Sequence, residues 1–217
     1  MSDIKNPVVL TPSLLTMVAE KKRDDTFSYK NWGDEDLLDF RAFVRAHYRT
    51  EQRARCAYCR EKLSLQSAAN CHVEHIAPKS KYQGFMFEPR NLCVVCADCN
   101  TIKREQEVCN DEPDTVTRGA TRKNYPRSSN AFRIVHPHYD NYSEHILVTS
   151  GYYVDRTDKG YFTIGACRLN RRVREFGWDE AFIEDESIFD AARSLLEAKD
   201  RTSRLSALQR IREACQA

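Results

Sequence analysis

Two C-x-x-C pairs, Cys56-Ala57-Tyr58-Cys59 and Cys96-Ala97-Asp98-Cys99, restrict this chain more than any other feature. A two-residue spacer lets one tight turn aim both sulfurs inward, and four thiolates satisfy tetrahedral zinc. Cys93-Val94-Val95-Cys96 offers a second register for the downstream pair. Leu92 to Val95 reads as a strand, which spreads side chains instead of converging two thiols, so Cys96 is paired with Cys99. The opposing reading is four buried free cysteines. Between the pairs lie 36 residues, more than a common zinc ribbon holds, so the knuckles are expected to frame something useful.

The totals narrow the setting. Nine cysteines, an odd number with two C-x-x-C pairs, fit bound metal in a reducing cytosol better than a disulfide scaffold. The opening Met-Ser-Asp leads into no apolar h-region, so no signal peptide is expected. No apolar run approaches the roughly 18 residues of a membrane span. The expectation is a cytoplasmic protein with no membrane partner. Lys and Arg total 34 against 32 Asp and Glu, a net charge of +2, so any basic surface must be local. A chain of 217 residues suits one domain with extensions or two small domains. At that size it buries about 70% of its unfolded surface and does not need metal merely to own a core. The expected organisation is a helical region over 1–52, the cysteine-framed core over 53–110 and an extension over 111–217.

Ahead of the core, Thr11-Pro12 predicts a helix start, with Leu14, Leu15 and Val18 as its stripe and Lys21, Lys22 and Arg23 in its last turn. The polar run from Asp24 to Gly33 reads as a loop. Asp34 is the expected N-cap of a second helix, on which Leu37, Phe40, Phe43, Val44, His47 and Tyr48 recur at helical spacing. His47 reads as a packed residue, not a ligand. Arg45, Arg49, Arg53 and Arg55 are either a solvated face or a phosphate track.

Between the knuckles, 71–77 predicts a strand ending at Pro78, 91–95 its partner, and 98–108 a helix. A long Gly- and Pro-punctuated loop from Lys81 to Arg90 joins the strands. The segments Val73-Glu74-His75-Ile76-Ala77-Pro78-Lys79-Ser80, Asn91-Leu92-Cys93-Val94-Val95-Cys96 and Cys96-Ala97-Asp98-Cys99-Asn100-Thr101-Ile102-Lys103 together resemble the HNH endonuclease family. The resemblance covers about Cys56 to Lys103, under a quarter of the chain. It implies an α+β fold: a zinc-stapled ββα-metal core, here with N-terminal helices and a C-terminal mixed strand and helix extension. It also implies that the family's first His corresponds to His75, its central Asn to Asn91 and its last ligand position to Asn100. Many members carry His at that last position. Glu74 stands where Asp is more usual and is one methylene longer.

The chemistry of these residues agrees. Phosphodiester hydrolysis needs a nucleophilic water and relief of charge on the leaving oxygen. A neutral His75 suits proton abstraction near neutral pH, and Asn91 on the facing strand is expected to orient it through its side chain or its carbonyl. Glu74 and Asn100 offer two hard oxygens, which suit Mg²⁺ or Mn²⁺ with several waters retained. Zinc on Cys56, Cys59, Cys96 and Cys99 would be structural and the second metal catalytic. His72 falls on the opposite strand face from His75. Lys79, Lys81, Lys103 and Arg104 are candidate phosphate contacts or plain solvated charge. A zinc ribbon used only for nucleic-acid binding explains the cysteines but leaves Glu74, His75, Asn91 and Asn100 as coincidences.

Downstream, the polar stretch from Asp111 to Asn130 reads as mostly unstructured. Its Arg118, Arg122, Lys123 and Arg127 around Tyr125 read either as a single-strand-binding element or as a flexible loop. His136, His138 and His145 match no metal template and are expected to be structural, with Pro137 holding its neighbours extended. Cys71, Cys109, Cys167 and Cys215 are isolated and read as packed or exposed thiols. Strands are expected at 146–148 and 151–154 and a third at 161–165. A basic helix is expected over 166–176, and a final helical region from Asp179 with a break near Arg201. Phe182, Ile188, Phe189, Leu195, Leu196, Leu205, Leu208 and Ile211 form its apolar stripe.

The run His136-Pro137-His138-Tyr139-Asp140-Asn141-Tyr142-Ser143-Glu144-His145-Ile146, followed by Phe162-Thr163-Ile164-Gly165-Ala166-Cys167-Arg168-Leu169-Asn170-Arg171-Arg172, is similar to the tail of HNH proteins of Septu-type and retron-associated anti-phage systems. There the nuclease works beside an SMC- or ABC-like ATPase. That second resemblance implies a defence role and an ATPase partner. The alternative is a free-standing restriction-like nuclease. DNA is the expected substrate, with RNA left open.

Overall fold

The computed structural model describes residues 2–105, 115–117, 122–149, 151–177 and 186–214, with side chains of the last stretch from 190 onward. Helix α1 (Pro12–Arg23) starts as its sequence dictates: Thr11 accepts from the Leu14 N–H and Pro12 takes the first position. The following loop is more ordered than its polarity implies. Ser28 and Asn31 form a reciprocal cap around a 3-10 turn, Tyr29–Gly33. Asp34 precedes a second short 3-10 turn, Glu35–Leu37, without a side-chain cap bond. Helix α2 therefore begins at Leu38 and runs to Glu51.

Along α2, Phe40, Val44 and Tyr48 are buried at i, i+4, i+8, whereas Phe43 is 36% exposed. This face packs across a two-stranded antiparallel ribbon of β1 (His72–His75) and β2 (Leu92–Val95). The register pairs Glu74 with Cys93 and His75 with Leu92. At the end of α2, the Gln52 carboxamide imitates a neighbouring strand. It donates to the Val94 carbonyl and accepts from the Val94 N–H, both at 2.8 Å. Helix α3 (Ala97–Lys103) follows β2 directly and packs on β1. It is shorter than expected because Arg104, at φ 39°, turns the chain out of the helix.

Residues downstream build onto this core. Val116 bridges to Phe132, and Thr115 reaches the Ile76 carbonyl, so this part of the polar stretch is ordered. Tyr125 is buried among Phe85, Phe132 and His136, so it is not free to stack on a base. Pro137 sits in a turn, not an extended segment: the Tyr139 and Asp140 N–H groups both donate to the His136 carbonyl. His136 and His138 are buried, and His138 Nε2 donates to the Leu92 carbonyl at 2.8 Å. Tyr142, in the single turn α4 (Tyr142–His145), donates to the Tyr58 carbonyl beside the first knuckle.

Strands β3 (Ile146–Thr149) and β4 (Tyr152–Asp155) pair as expected, but 161–165 is not a strand. It lies within helix α5 (Asp158–Ala166), despite its β-favouring composition. Thr157 caps that helix from the Gly160 N–H, and Thr163 Oγ1 donates back to the Lys159 carbonyl. Gly160 is required there: a Cβ would stand 1.9 Å from the His145 carbonyl oxygen. The expected 166–176 helix is reduced to α6 (Arg171–Phe176), because Arg168, at φ 45°, takes a left-handed turn.

The chain divides into two compact units: 1–146 with 155–168, and 147–154 with 169–217. Within the second, α7 (Glu186–Glu197) and α8 (Arg201–Ala214) pack on each other after a break at which Asp200 caps α8 through the Ser203 N–H. Leu195, Leu208 and Ile211 are buried there with Tyr152, Val154 and Val173. Leu195, Leu208 and Ile211 of the apolar stripe are thus the unit's own core, while Leu205 is 56% exposed. Phe182 and the side chains of Ile188 and Phe189 lie outside the described residues. Among the described residues no helix is long and apolar enough to cross a membrane.

Candidate active site and metal centre

The sulfurs of Cys56, Cys59, Cys96 and Cys99 all lie within 4.8 Å of one another, and all four residues are buried. Cys59 and Cys96 are 3.6 Å apart, close to the edge of about 3.8 Å that zinc–sulfur bonds of about 2.3 Å give a tetrahedron. The donor set therefore fits zinc. Local turns aim it: the Arg60 N–H donates to the Cys56 carbonyl, and Arg60 closes the knuckle at φ 65°. On the other side Cys96 is the N-cap of α3, its sulfur accepting from the Cys99 N–H. Sulfur hydrogen bonds from Cys56 and its neighbours pull the Cys96 thiol strongly toward thiolate and push Cys59 and Cys99 up. Cys93 is buried in β2 outside the cluster, as are Cys71 and Cys167. Cys109 and Cys215 lie outside the described residues.

The knuckle's helix carries Asn100 one residue beyond Cys99, and the ribbon carries Glu74 and His75 toward it. Glu74, His75, Pro78, Lys79, Asn100, Arg104 and Glu105 line one cleft of about 280 Å³. The oxygens of Glu74 and Asn100 are hard donors that fit a small divalent cation with retained waters.

His75 is 5% exposed, and its Nε2 donates to the Met86 carbonyl at 3.1 Å. A carbonyl only accepts, so Nε2 carries the proton and Nδ1 is the lone-pair nitrogen. The Trp32 ring stands edge-on to the imidazole, centroids 4.4 Å apart. Burial, helped by the charges of Lys79 and Lys103, pushes the His75 pKa down to about 3. The ring is neutral at physiological pH.

Asn91 makes no hydrogen bond to the histidine ring. It is fully buried, and its Nδ2 donates to the carbonyls of Ala77 and Phe85, both at 3.0 Å. Its Oδ1 accepts from the Ala77 N–H at 2.7 Å, and its backbone carbonyl accepts from the Ile76 N–H. Asn91 thus fastens the loop whose next residue, Met86, orients His75.

Lys103 is also placed differently from a phosphate contact. It is 3% exposed, its Nζ donates to the His75 carbonyl at 3.1 Å and lies 2.8 Å from Glu74 Oε1. Lys79 is half-buried and Arg104 exposed at the cleft. Arg122, Lys123 and Arg127 do not line it, and Arg118 lies outside the described residues. Arg45 and Arg49 are bonded to the carbonyls of Cys71 and Leu65, which commits them to the fold.

Two contributors have no clear mark in the sequence. Trp32 sits in a polar run and is fixed when Arg41 donates to the carbonyls of Trp32, Gly33 and Asp34. Met86 acts through its backbone alone. His72, by contrast, was findable, since strand alternation puts it on the same face as Glu74.

Residues 56–106 match the family model described as HNH endonuclease. The match covers under a quarter of the 217 residues. It marks the chain as an enzyme, a nuclease that hydrolyses phosphodiester bonds, with nucleic acid as its substrate. No curated protein and no solved structure matches the chain.

Proposed function

We propose that the cleft at Glu74, His75 and Asn100 is the active site of a metal-dependent endonuclease with a separate structural zinc. The observation that carries this reading is the convergence of those three residues on one cleft, with the His75 tautomer fixed by Met86. Glu74 and Asn100 would hold Mg²⁺ or Mn²⁺. Bound there, the ion supplies Lewis-acid charge to the scissile phosphate and the departing 3′ oxygen. Nδ1 of His75 accepts the proton of the attacking water. At a pKa near 3 the ring is a weak base, but an arriving phosphate places negative charge beside it and raises that pKa. Lys79 and Arg104 line the cleft and would guide that phosphate.

DNA is the proposed substrate. With a net charge of +2, lone-chain affinity should be modest and salt-sensitive. Recruitment by an ATPase partner in a phage-defence setting, supported by the similarity of 134–174 to such nucleases, is the proposed regulation. The arginines of 168–174, of which Arg168, Arg172 and Arg174 are exposed, are the proposed contact.

The experiment incubates the protein with plasmid, single-stranded DNA and RNA, with and without Mg²⁺ or Mn²⁺. Cleavage should need the metal, and His75→Ala should lower the rate by about 10²–10⁴-fold with zinc retained. Gel shifts in EDTA with no cutting under any metal would move the protein to the binding-module reading.

A further inference from the structure

Asn100 can hold a cation only if its carboxamide presents oxygen, and an amide has two faces of similar shape and opposite polarity. His72 contacts that amide. Its Nδ1 lies 3.2 Å from Asn100 Nδ2, and its Nε2 lies 3.0 Å from the Ala69 carbonyl. The carbonyl can only accept, so Nε2 carries the hydrogen and Nδ1 is the lone-pair atom of the ring. A lone pair accepts only from the NH₂ group. The network alone therefore fixes the amide: Nδ2 faces His72 and Oδ1 is turned the other way.

We propose that His72 is a positioning residue that orients the Asn100 carboxamide so that its oxygen is the atom offered to the catalytic cation. This rests on the reading of Asn100 as a ligand. The imidazole is held for that task. Ala69 belongs to the turn before β1, where the Cys71 N–H donates to the Ala68 carbonyl and Arg45 Nε donates to the Cys71 carbonyl at 2.8 Å. Asn70 of the same turn accepts from the Ala97 N–H at the start of α3. The turn that fixes the ring is thus pinned to the helix that carries Asn100. Loss of the acceptor at position 72 frees the amide to rotate, and half of its orientations then present NH₂ to the cation.

The test is Mn²⁺ binding by calorimetry on the zinc-loaded full chain. His72→Leu removes the acceptor. His72→Asn places a carboxamide oxygen where Nδ1 stood. His72→Leu should weaken Mn²⁺ by about tenfold or more, the usual scale for a group that orients a ligand, with zinc content and melting temperature unchanged. His72→Asn should restore affinity to within about threefold of the parent. If His72→Leu lowers the melting temperature, His72→Thr replaces it, since a β-branched residue suits the strand and is too short to reach Asn100. Parental affinity in His72→Leu, or no recovery in His72→Asn, overturns the proposal. Asn100→Ala runs beside them. If it too keeps parental affinity, Asn100 is not a ligand and the underlying reading fails; if it alone loses Mn²⁺, only the role of His72 fails.

Discussion

The Lys103 ammonium lies 2.8 Å from Glu74 Oε1, and the two side chains are 3% and 8% exposed. The same ammonium donates to the His75 carbonyl, so one cation braces both members of the Glu-His pair. Breaking such a buried pair strands a charge, at a cost of about 3–5 kcal/mol. Lys103→Met should destabilise the protein by that order in denaturant titrations without added divalent metal, and Mn²⁺ should recover part of it. Arg104→Ala and Lys79→Ala should each reduce the slope of log affinity for DNA against log salt by about 1. Lys103→Met should leave that slope alone. A slope reduced by Lys103→Met would return this residue to the phosphate interface.

Asn91 acts on His75 at one remove, through the loop it fastens. Asn91→Ala leaves the buried carbonyls of Ala77 and Phe85 without their donor, and each such orphan costs about 1–3 kcal/mol. Asn91→Asp should be worse than Asn91→Ala, since it turns carboxylate oxygens toward the same carbonyls. Both should lose stability and cleavage together, while zinc stays bound. Loss of cleavage at full stability would point instead to direct contact between Asn91 and substrate.

The candidate site was legible where short-range geometry writes it. C-x-x-C turns, strand alternation at 72–75 and the step from Cys99 to Asn100 are local; the structure gathers the four cysteines into one cluster and Glu74, His75 and Asn100 into one cleft. What the sequence hid was backbone chemistry and long-range contact. The Met86 and Ala69 carbonyls have no side-chain signature, and Trp32 reaches His75 from 43 positions away. Tyr161 to Gly165 misled for a different reason. Their β propensity was outweighed by the Thr157 cap and by a helix approach that only Gly160 permits. The stripe on α7 and α8 was correctly apolar, but periodicity does not say whether its cover is a partner or the chain itself.

Acid should expose the cost of the two buried histidines after the core. The His138 N–H donates to His136 Nδ1, so the His136 ring carries its hydrogen on Nε2, 2.8 Å from the Tyr125 hydroxyl. A proton on Nδ1 would face a donor. Burial holds His136 well below its ordinary value and lowers His138 to about 4. The unfolded chain titrates near 6.5, so below that pH it binds protons that the fold refuses. Stability is fully present above pH 6.5 and falls as pH drops from 6.5 toward 4, by about 1.4 kcal/mol per pH unit for each ring. His138→Gln keeps a donor for the Leu92 carbonyl without a titrating group. Its unfolding free energy should fall less steeply than the parent's between pH 6 and 5, by about that amount. Comparing the two proteins cancels any acid loss of the thiolate site.

Loss of the cysteine frame should reach the second metal site, whereas loss of the second site should leave zinc occupancy unchanged, because so tight a site stays saturated. Cys96 belongs to the four-cysteine cluster that fits zinc and is also the cap of α3, and Asn100 follows Cys99 on the same helix. Without zinc, four crowded sulfurs lose their common partner, and metal binding at such sites contributes on the order of 10 kcal/mol to folding. Cys96→Ser should therefore carry no zinc by native mass spectrometry, melt at a lower temperature than the parent and lose Mn²⁺ binding as α3 loosens from β1. Cys93→Ser, outside the cluster, should keep one zinc per chain. Glu74→Ala should weaken Mn²⁺ and leave zinc intact, because no donor of the cysteine frame changes. A Cys96→Ser protein that still binds Mn²⁺ like the parent would show that the ribbon and helix hold Glu74 and Asn100 together without the frame.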